Sequence, residues 1–284
     1  MGESFVMETE RDANGPIAVS GVKAGEAIAV HIEKIEILPP FESPNGGPFF
    51  EGMGPGVPLE YEDGCFIYPR YFKLKANPSV GNVAVLPERT EFMLNWARND
   101  PNREWRWRRV VNDFRGKHSH QDCQFLTAGS TIHLKAQVEE AGLCLADAHA
   151  YIGQGEMAFA GIEVLADVQV RVEPSKGWLV DWPLIETEDE IMLFCSDTND
   201  LNGTKDQRYV DVVREAYRAM RQVVAAKIGG TIEDANPIVA AALDIRNCAI
   251  YGLSDYIQKD GKKASEPDKD IGVVACLPKH VFER

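Results

Sequence analysis

Hydrophobic and polar residues alternate along two segments in the middle of the chain. From residue 131 to 139 every second side chain is apolar. From 162 to 172 the same alternation recurs, and only Leu165 breaks it. A period of two places successive side chains on opposite faces of a strand. Both segments are therefore predicted to be half-buried strands of an antiparallel sheet.

The N-terminal part of the chain is also predicted to form strands and loops. Apolar residues at every second position from Ile28 to Ile32, with turn residues at Gly21 and Gly25, predict a β-hairpin over residues 15–37. Residues 39–58 are rich in proline and glycine and are predicted to form a long loop. A loop of that length in a compact domain more often serves function than mere connection.

Helical periodicity begins only after residue 205. Apolar residues recur at spacings of three and four from Val210 to Val224, and Gly229 and Gly230 provide a stop. Thr231 followed by Asp234 resembles a capping box that opens a second helix, predicted to end near Asn247. The predicted fold class is mainly β with α+β character. One domain over residues 1–284 would contain a β-sandwich-like body and a C-terminal helical excursion.

Composition and net charge limit the kinds of molecule that the protein is expected to bind. The chain has 284 residues and a formal net charge of −14, which disfavours nucleic acid and anionic membranes as partners. No apolar run approaches the roughly 20 residues of a membrane span, and the N-terminus lacks the apolar core of a signal peptide. The six cysteines form no CxxC pair, so neither a disulfide framework nor a thiolate zinc site is expected. We expect a cytoplasmic protein.

One cluster interleaves arginine and tryptophan, REWRWRR at 103–109. Aromatic and basic side chains in this order can bind single-stranded nucleic acid by stacking. In so acidic a chain, packing in a loop or an interface is the favoured interpretation.

The first candidate site lies in LADAHAYIGQGE, residues 145–156. In a regular strand Leu145, Asp147 and His149 would point to one face, and the GQG turn could bring Glu156 back beside them. Such a group could hold a metal or perform acid–base chemistry. The alternative is a histidine that is hydrogen-bonded to a neighbouring carboxylate at the rim of a sheet.

The second candidate site is HSHQD, which contains His118, His120 and Asp122 at alternate positions. Nitrogen and oxygen donors with this spacing can bind a divalent metal. The alternative is an ordinary polar loop. The HxH pattern also resembles the cupin metal motif, but that motif needs a glutamate where the chain has Gln124 and Phe125.

Taken in order, six segments resemble those of the acetamidase/formamidase family. They are NGPIAVSGVKAGEAIAVHIEKI, NPSVGNVAVLPE, HSHQDC, GSTIHLKAQVEEAGLCLADAHAYIGQGEMAFAGIE, LDIRNCAIYGL and LPKHVF. The resemblance spans nearly the whole chain. It implies a β-sandwich-like acetamidase/formamidase fold and hydrolysis of the C–N bond of a small amide to a carboxylate and ammonia.

The resemblance also carries site residues onto this chain. The acidic residues of the family motifs correspond to Asp122, Asp147, Glu156 and Glu163, and the family histidine corresponds to His149. The chain departs from the family at three positions. Its His120 stands for an asparagine, Gln154 for an aspartate, and His31 for an acidic residue.

Exchange of a carboxylate or amide for histidine is tolerable at a metal ligand, because each donates a lone pair. We therefore predict a divalent metal, with Zn²⁺ favoured, bound by some of His31, His120, Asp122 and His149. The predicted catalytic residues are Glu156, as general base, and Asp147, which would orient the histidine.

The function predicted from the sequence is a metal-dependent amidohydrolase acting on a small linear or cyclic amide. Its predicted assembly is a homodimer or a higher homo-oligomer. Two other classes stay open. A cupin-like metalloenzyme would use redox-active iron or manganese on another bond. A non-catalytic β-sandwich binding module would hold no tight metal and turn over no amide or lactam.

Overall fold

A computed structural model describes residues 1–9, 14–44, 56–68, 72–86, 121–156, 160–196, 205–250 and 271–283. Its strands are β1 (Ser4–Thr9), β2 (Asn14–Ile17), β3 (Ala27–Leu38), β4 (Glu60–Glu62), β5 (Cys65–Ile67), β6 (Lys73–Lys75), β7 (Ser79–Val85), β8 (Thr131–Lys135), β9 (Leu143–Tyr151), β10 (Ile162–Glu163), β11 (Leu165–Pro174), β12 (Leu184–Glu186), β13 (Glu190–Ser196), β14 (Asp244–Ile250) and β15 (Ile271–Pro278). Its helices are α1 (Lys205–Ile228), α2 (Ile232–Ala242) and a 3₁₀ helix (Lys279–Phe282). The prediction of a mainly β fold with helices near the C-terminus is confirmed.

The strands form two antiparallel layers and a small accessory sheet. The larger layer has eight strands in the order β1-β11-β3-β8-β12-β13-β15-β14. The second layer is built around β9, which pairs with β7 along one edge and with β2 and β10 along the other. Strands β4, β5 and β6 form the accessory sheet. Every paired strand in these sheets is antiparallel, as the alternating sequence pattern predicts.

The main core lies between the two layers. Alternate residues of β3 and β11, such as Val30 and Val170, are fully buried there. They share this core with Val83 of β7 and Leu145 of β9. The sandwich-like body inferred from the period-two pattern is therefore present, with its apolar faces turned inward.

A second core covers the opposite face of the eight-stranded sheet. Leu193 of β13 and Val273 of β15 are buried against α1, where Ala216, Met220 and Val224 form the apolar stripe. Part of the sheet is therefore buried on both faces, because α1 and α2 close over the region around β13 and β15. Neither helix is long and apolar enough to cross a membrane, and the same holds for the other described helical residues.

Two predictions about element boundaries are wrong. Residues 15–37 do not form a hairpin, because β2 pairs with β9 while β3 pairs with β8 and β11. The second helix has its predicted capping box at Thr231 but ends at Ala242 rather than near Asn247. Residues that follow the helix instead form β14, which pairs with β15 at the edge of the sheet. Pairing with a distant strand decided both outcomes.

The predicted strand over 162–172 changes sheets at Val164. Its first two residues form β10 on β9, and the rest forms β11 beside β1 and β3. The alternation continues through the break, so Ile162 and Ala166 are both buried while Leu165 is 42% exposed. This crossing brings Glu163 opposite His149.

Glu186 of β12 links residues on the helix-covered face of the eight-stranded sheet to Lys279, near the C-terminus, through contacts of its carboxylate. Its carboxylate lies 3.2 Å from Nε2 of His133 and 2.9 Å from Nζ of Lys279. The indole N–H of Trp178 donates to the same carboxylate over 3.2 Å. The contact with His133, followed by those with Lys279 and Trp178, outweighs burial and lowers the pKa of Glu186 to about 2.

We expect Glu186→Gln to change how stability depends on pH. The pKa of Glu186 lies below that of an unfolded glutamate, so its stabilisation is present above about pH 4.5 and is lost as the pH falls toward about 2. The variant should lose about 1–3 kcal/mol of unfolding free energy at pH 7 and almost nothing at pH 2. Denaturant melts across this range measure it. The exposed Glu188→Gln is the matched control, and an unchanged acid slope in Glu186→Gln would contradict the expectation.

Candidate metal centre

In the paired strands β7 and β9, the alternation of side chains between the two faces of the sheet is interrupted at one position. Val80 is opposite Ala148 and Val83 is opposite Leu145, and all four residues lie in the main core. A regular strand would point Val80 and Val83 to opposite faces. Asp147 has a φ of 63°, in the left-handed region, where the reversal occurs. The predicted alignment of Leu145 and His149 on one face is therefore wrong, because it assumed a regular strand.

Strained backbone is concentrated around this reversal. Six non-glycine residues in the described ranges have a left-handed φ, and three of them are Asp122 (39°), Asp147 (63°) and Glu156 (39°). Such conformations cost on the order of 1–3 kcal/mol each and persist only where the surroundings fix them. They occur most often at functional sites. All three are acidic residues that the sequence marked as site candidates.

Two glycines let the acidic residues approach one another. A Cβ on Gly81 would lie 2.7 Å from Oδ1 of Asp122 and 2.7 Å from Oδ2 of Asp147. The Gly81 carbonyl also accepts the N–H of Asp122 over 2.9 Å. Gly161 donates its N–H to Oε1 of Glu163 over 3.0 Å. The two residues thus support opposite sides of the cluster, and Gly81 leaves the space the carboxylates occupy.

The imidazole of His149 is at the centre of the cluster and is completely buried. Its Nε2 lies 3.1 Å from Oε1 of Glu163 and 3.5 Å from Oε1 of Glu156. Neither ring nitrogen makes a hydrogen bond of acceptable geometry within the described part of the chain. Two sets of ligand atoms, each within 4.8 Å of one another, share this histidine: one with Asp122 and Glu156, the other with Asp147 and Glu163.

The carboxylates and the imidazole of the cluster shift one another's pKa values. Burial alone would lower the pKa of His149, but the charges of Glu163 and Asp147 and the contacts with Glu156 and Glu163 raise it well above the usual range. Burial raises the pKa of Glu163, and Asp147 and Asp122 add to the effect, although His149 opposes it. Among the described residues that form the two sets of ligand atoms, one imidazole faces four carboxylates.

These residues fit a divalent metal ion. The cluster offers one imidazole and four carboxylates, donors that suit Zn²⁺ and other first-row divalent ions. A cation would be attracted by these carboxylates and would satisfy a ring nitrogen that has no hydrogen bond within the described ranges. The arrangement can therefore bind a metal with some carboxylates and leave another free for proton transfer.

The predicted site residues are distributed unevenly. Asp122, Asp147, His149 and Glu156 are brought together. His120 lies outside the described residues, as do His118 and the REWRWRR segment.

His31 is not brought to the cluster. It lies on the outer face of β3, where its Nδ1 is 2.8 Å from Oγ1 of Thr131 and its Nε2 is 3.4 Å from Glu173. It lines a separate pocket of about 450 Å³ together with His133 and Glu186. The exchange of an acidic residue for His31 therefore does not alter the ligands around His149.

The sequence-based prediction assigned no role to Glu163 and did not include Gly81. Glu163 matched a family glutamate, but its place opposite His149 depends on the change of sheets at Val164. Gly81 lies in the NPSVGN segment, and no local pattern there marks it as part of a site. Gln154, the other departure from the family, has both side-chain amide atoms buried without a hydrogen-bond partner in the described ranges.

Comparison with solved structures identifies proteins with a similar fold. An acetamidase from Yersinia enterocolitica matches with a TM-score of 0.74 and 19% identity, over 100% of this chain and 85% of that one. A predicted acetamidase/formamidase from Thermoanaerobacter tengcongensis matches with a TM-score of 0.69 and 20% identity, over 99% and 89%. A gamma lactamase from Delftia acidovorans matches more distantly, with a TM-score of 0.53 and 15% identity, over 100% and 85%. At these identities the similarity establishes the acetamidase-like fold.

The sequence itself supplies the family. The model of the Acetamidase/Formamidase family matches residues 74–227, more than half of the chain, so the protein belongs to that family. The match includes Gly81 and every acidic residue of the cluster. A search of curated proteins gives no match.

We expect Gly81→Ala to disable the cluster. The added methyl group would meet two carboxylate oxygens and the Asp147 carbonyl at 2.7 Å, so the acidic loops must separate. Metal content and amide turnover should both fall by at least about tenfold, measured on folded protein. Gly153→Ala is the matched control, because a Cβ there meets nothing within 4 Å. Full metal content in Gly81→Ala would show that the close approach is not required.

Proposed function

We propose that the protein is a metal-dependent hydrolase that cleaves the C–N bond of a small amide with water. The observation that carries the proposal is the buried imidazole of His149 among four carboxylates. Membership of the Acetamidase/Formamidase family supports the choice of an amide as substrate. The products would be a carboxylate and ammonia or an amine.

The ligand set we propose is Asp122, His149 and Glu156, which lie within ligand distance of one another and are all buried. Burial favours them because ligands must be held rigidly and shielded from water. Zn²⁺ suits a mixed set of one nitrogen and two oxygen donors. His120 lies outside the described residues and stays a predicted ligand.

A divalent ion bound there would polarise the amide carbonyl and lower the pKa of a nearby water molecule. The protein must then move one proton. Glu163 is the best acceptor, since its side chain is 32% exposed while that of Glu156 is 4% exposed. The hydrogen bond from the N–H of Gly161 holds its carboxylate in place. Glu163 takes a proton from the attacking water and returns it to the departing nitrogen.

This assignment changes the roles that the sequence predicted for Glu156 and Asp147. Glu156, predicted as the general base, lies in the proposed ligand set. Asp147, predicted to orient His149, makes no hydrogen bond with either ring nitrogen. Its charge instead contributes to the raised pKa of the imidazole and to the attraction for a cation.

The experiment that tests the function combines metal analysis with an amide panel. We expect about one divalent ion per chain in protein purified without chelator, and release of ammonia from one or more small primary amides. The panel should include a γ-lactam, because one structural relative is a gamma lactamase. Absence of both metal and turnover would favour the binding module. Bound iron or manganese with redox activity would favour the cupin-like alternative. Cytoplasmic location and assembly as a homo-oligomer stay predictions.

Replacement of the central histidine should remove the metal while leaving the fold. We expect His149→Ala to lower Zn²⁺ affinity by at least about 10–100-fold, because it deletes the one nitrogen donor shared by both sets of ligand atoms. Circular dichroism should stay close to wild type. Thermal melts with and without chelator should differ for wild type but coincide for the variant. Full metal content and turnover in His149→Ala would show that the imidazole is structural.

Separate replacement of Glu163 and Glu156 should distinguish metal binding from proton transfer. We expect Glu163→Gln to retain the metal and lose about 10²–10⁴-fold in turnover, because an amide cannot accept the proton. Glu156→Gln should instead weaken the metal first. Metal content and kcat measured on both variants decide the assignment. The reverse pattern would restore Glu156 as the base.

A further inference from the structure

A buried serine, Ser79, lies directly across from His149 in the paired strands β7 and β9. Ser79 of β7 pairs with His149 of β9 in the register of the two strands. Residues opposite each other in an antiparallel pair project to the same face, with Cβ atoms about 4.5–5.5 Å apart. Ser79 is completely buried, and its hydroxyl has no hydrogen-bond partner in the described part of the chain.

In the described ranges, His149 has a ring nitrogen that lacks a hydrogen-bond acceptor. Its Nε2 faces Glu163 and Glu156, the side on which the carboxylates gather. Its Nδ1 is buried and has no hydrogen bond within the described ranges. A histidine that binds a metal through one nitrogen nearly always donates the N–H of the other to a fixed acceptor. Leaving both that nitrogen and a neighbouring buried hydroxyl without a hydrogen bond would destabilise the folded state.

We propose that Ser79 is the positioning residue of the site: its hydroxyl accepts a hydrogen bond from Nδ1–H of His149, directly or through one water molecule. The proposal rests on the proposed function in that it takes His149 to be a metal ligand. A serine hydroxyl can be redirected by rotation about a single bond, so the contact needs no movement of the backbone. The strand pairing on both sides of the reversal keeps the two residues opposite each other.

The contact has a chemical consequence. When Nδ1 carries the proton, Nε2 keeps its lone pair and points at the carboxylates where the metal would be held. Ser79 therefore takes the orienting role that the sequence suggested for Asp147. The left-handed φ of Asp147 turns that residue out of the regular strand, while Ser79 lies beyond the reversal on the same side as the imidazole.

The test compares Ser79→Ala with Ser79→Thr, which keeps a hydroxyl. Zn²⁺ affinity, measured by competition with a chromogenic chelator, should fall about 10–100-fold in Ser79→Ala and recover most of the way in Ser79→Thr. Ser130→Ala is the control for loss of a buried hydroxyl. That hydroxyl donates to the Thr127 carbonyl over 2.7 Å, so its loss should lower stability and leave Zn²⁺ affinity within about twofold.

A second measurement does not need the metal. The chain has six histidines, so the ¹⁵N signals of the His149 ring can be assigned by comparison with His149→Ala. In metal-free protein the Nδ1 signal should shift in Ser79→Ala and return in Ser79→Thr. If the wild-type protein binds no Zn²⁺ while Ser79→Ala still shifts the Nδ1 signal, the proposed function is overturned and the contact is supported.

Two results would overturn the contact itself. One is an unchanged Nδ1 signal together with unchanged Zn²⁺ affinity in Ser79→Ala. The other is an acyl group found on Ser79 by mass spectrometry during amide turnover, because it would make the residue a nucleophile rather than a positioning group.

Discussion

Burial of like charges is the constraint on which the rest of this site depends. Four carboxylates, two buried and two half-buried, lie around one buried imidazole, where charge is screened less than in water. Burial, followed by the charges of Asp147 and Asp122, raises the pKa of Glu163 although His149 opposes it, and the carboxylates raise the pKa of His149 despite its burial. A fold that keeps such a group together must hold it by its backbone, and a bound cation would turn the repulsion into coordination.

Three features of the backbone keep the carboxylates and the imidazole together. Asp122, Asp147 and Glu156 adopt left-handed conformations that the surrounding sheets enforce. Gly81 has no side chain where two carboxylates meet. The chain then crosses from one sheet to the other at Val164, which delivers a fourth carboxylate opposite the imidazole. Stability of the sandwich thus provides the free energy that keeps the cluster assembled.

The sites of departure from the family have different consequences. His31 lies on the far face of the eight-stranded sheet and forms contacts of its own with Thr131 and Glu173. Gln154 lies two residues before Glu156 and keeps a buried amide without a hydrogen-bond partner in the described ranges. The carboxylates and the histidine of the cluster itself match the family motifs. Of the three departures, His31 lies away from the cluster, Gln154 lies close to Glu156 in the chain, and His120 lies outside the described residues.

The sequence by itself determined the class of fold and the identity of the donors. Period-two segments around 132 and 166 had to become strands, because only a sheet buries every second residue, and the Thr231 capping box had to begin a helix. The motifs also named Asp122, Asp147, His149 and Glu156. Pairing partners and side-chain directions were decided by the tertiary structure. No local pattern reveals that β2 joins β9, that β9 reverses its faces at Asp147, or that His31 points away, since each follows from contacts between residues far apart in the chain.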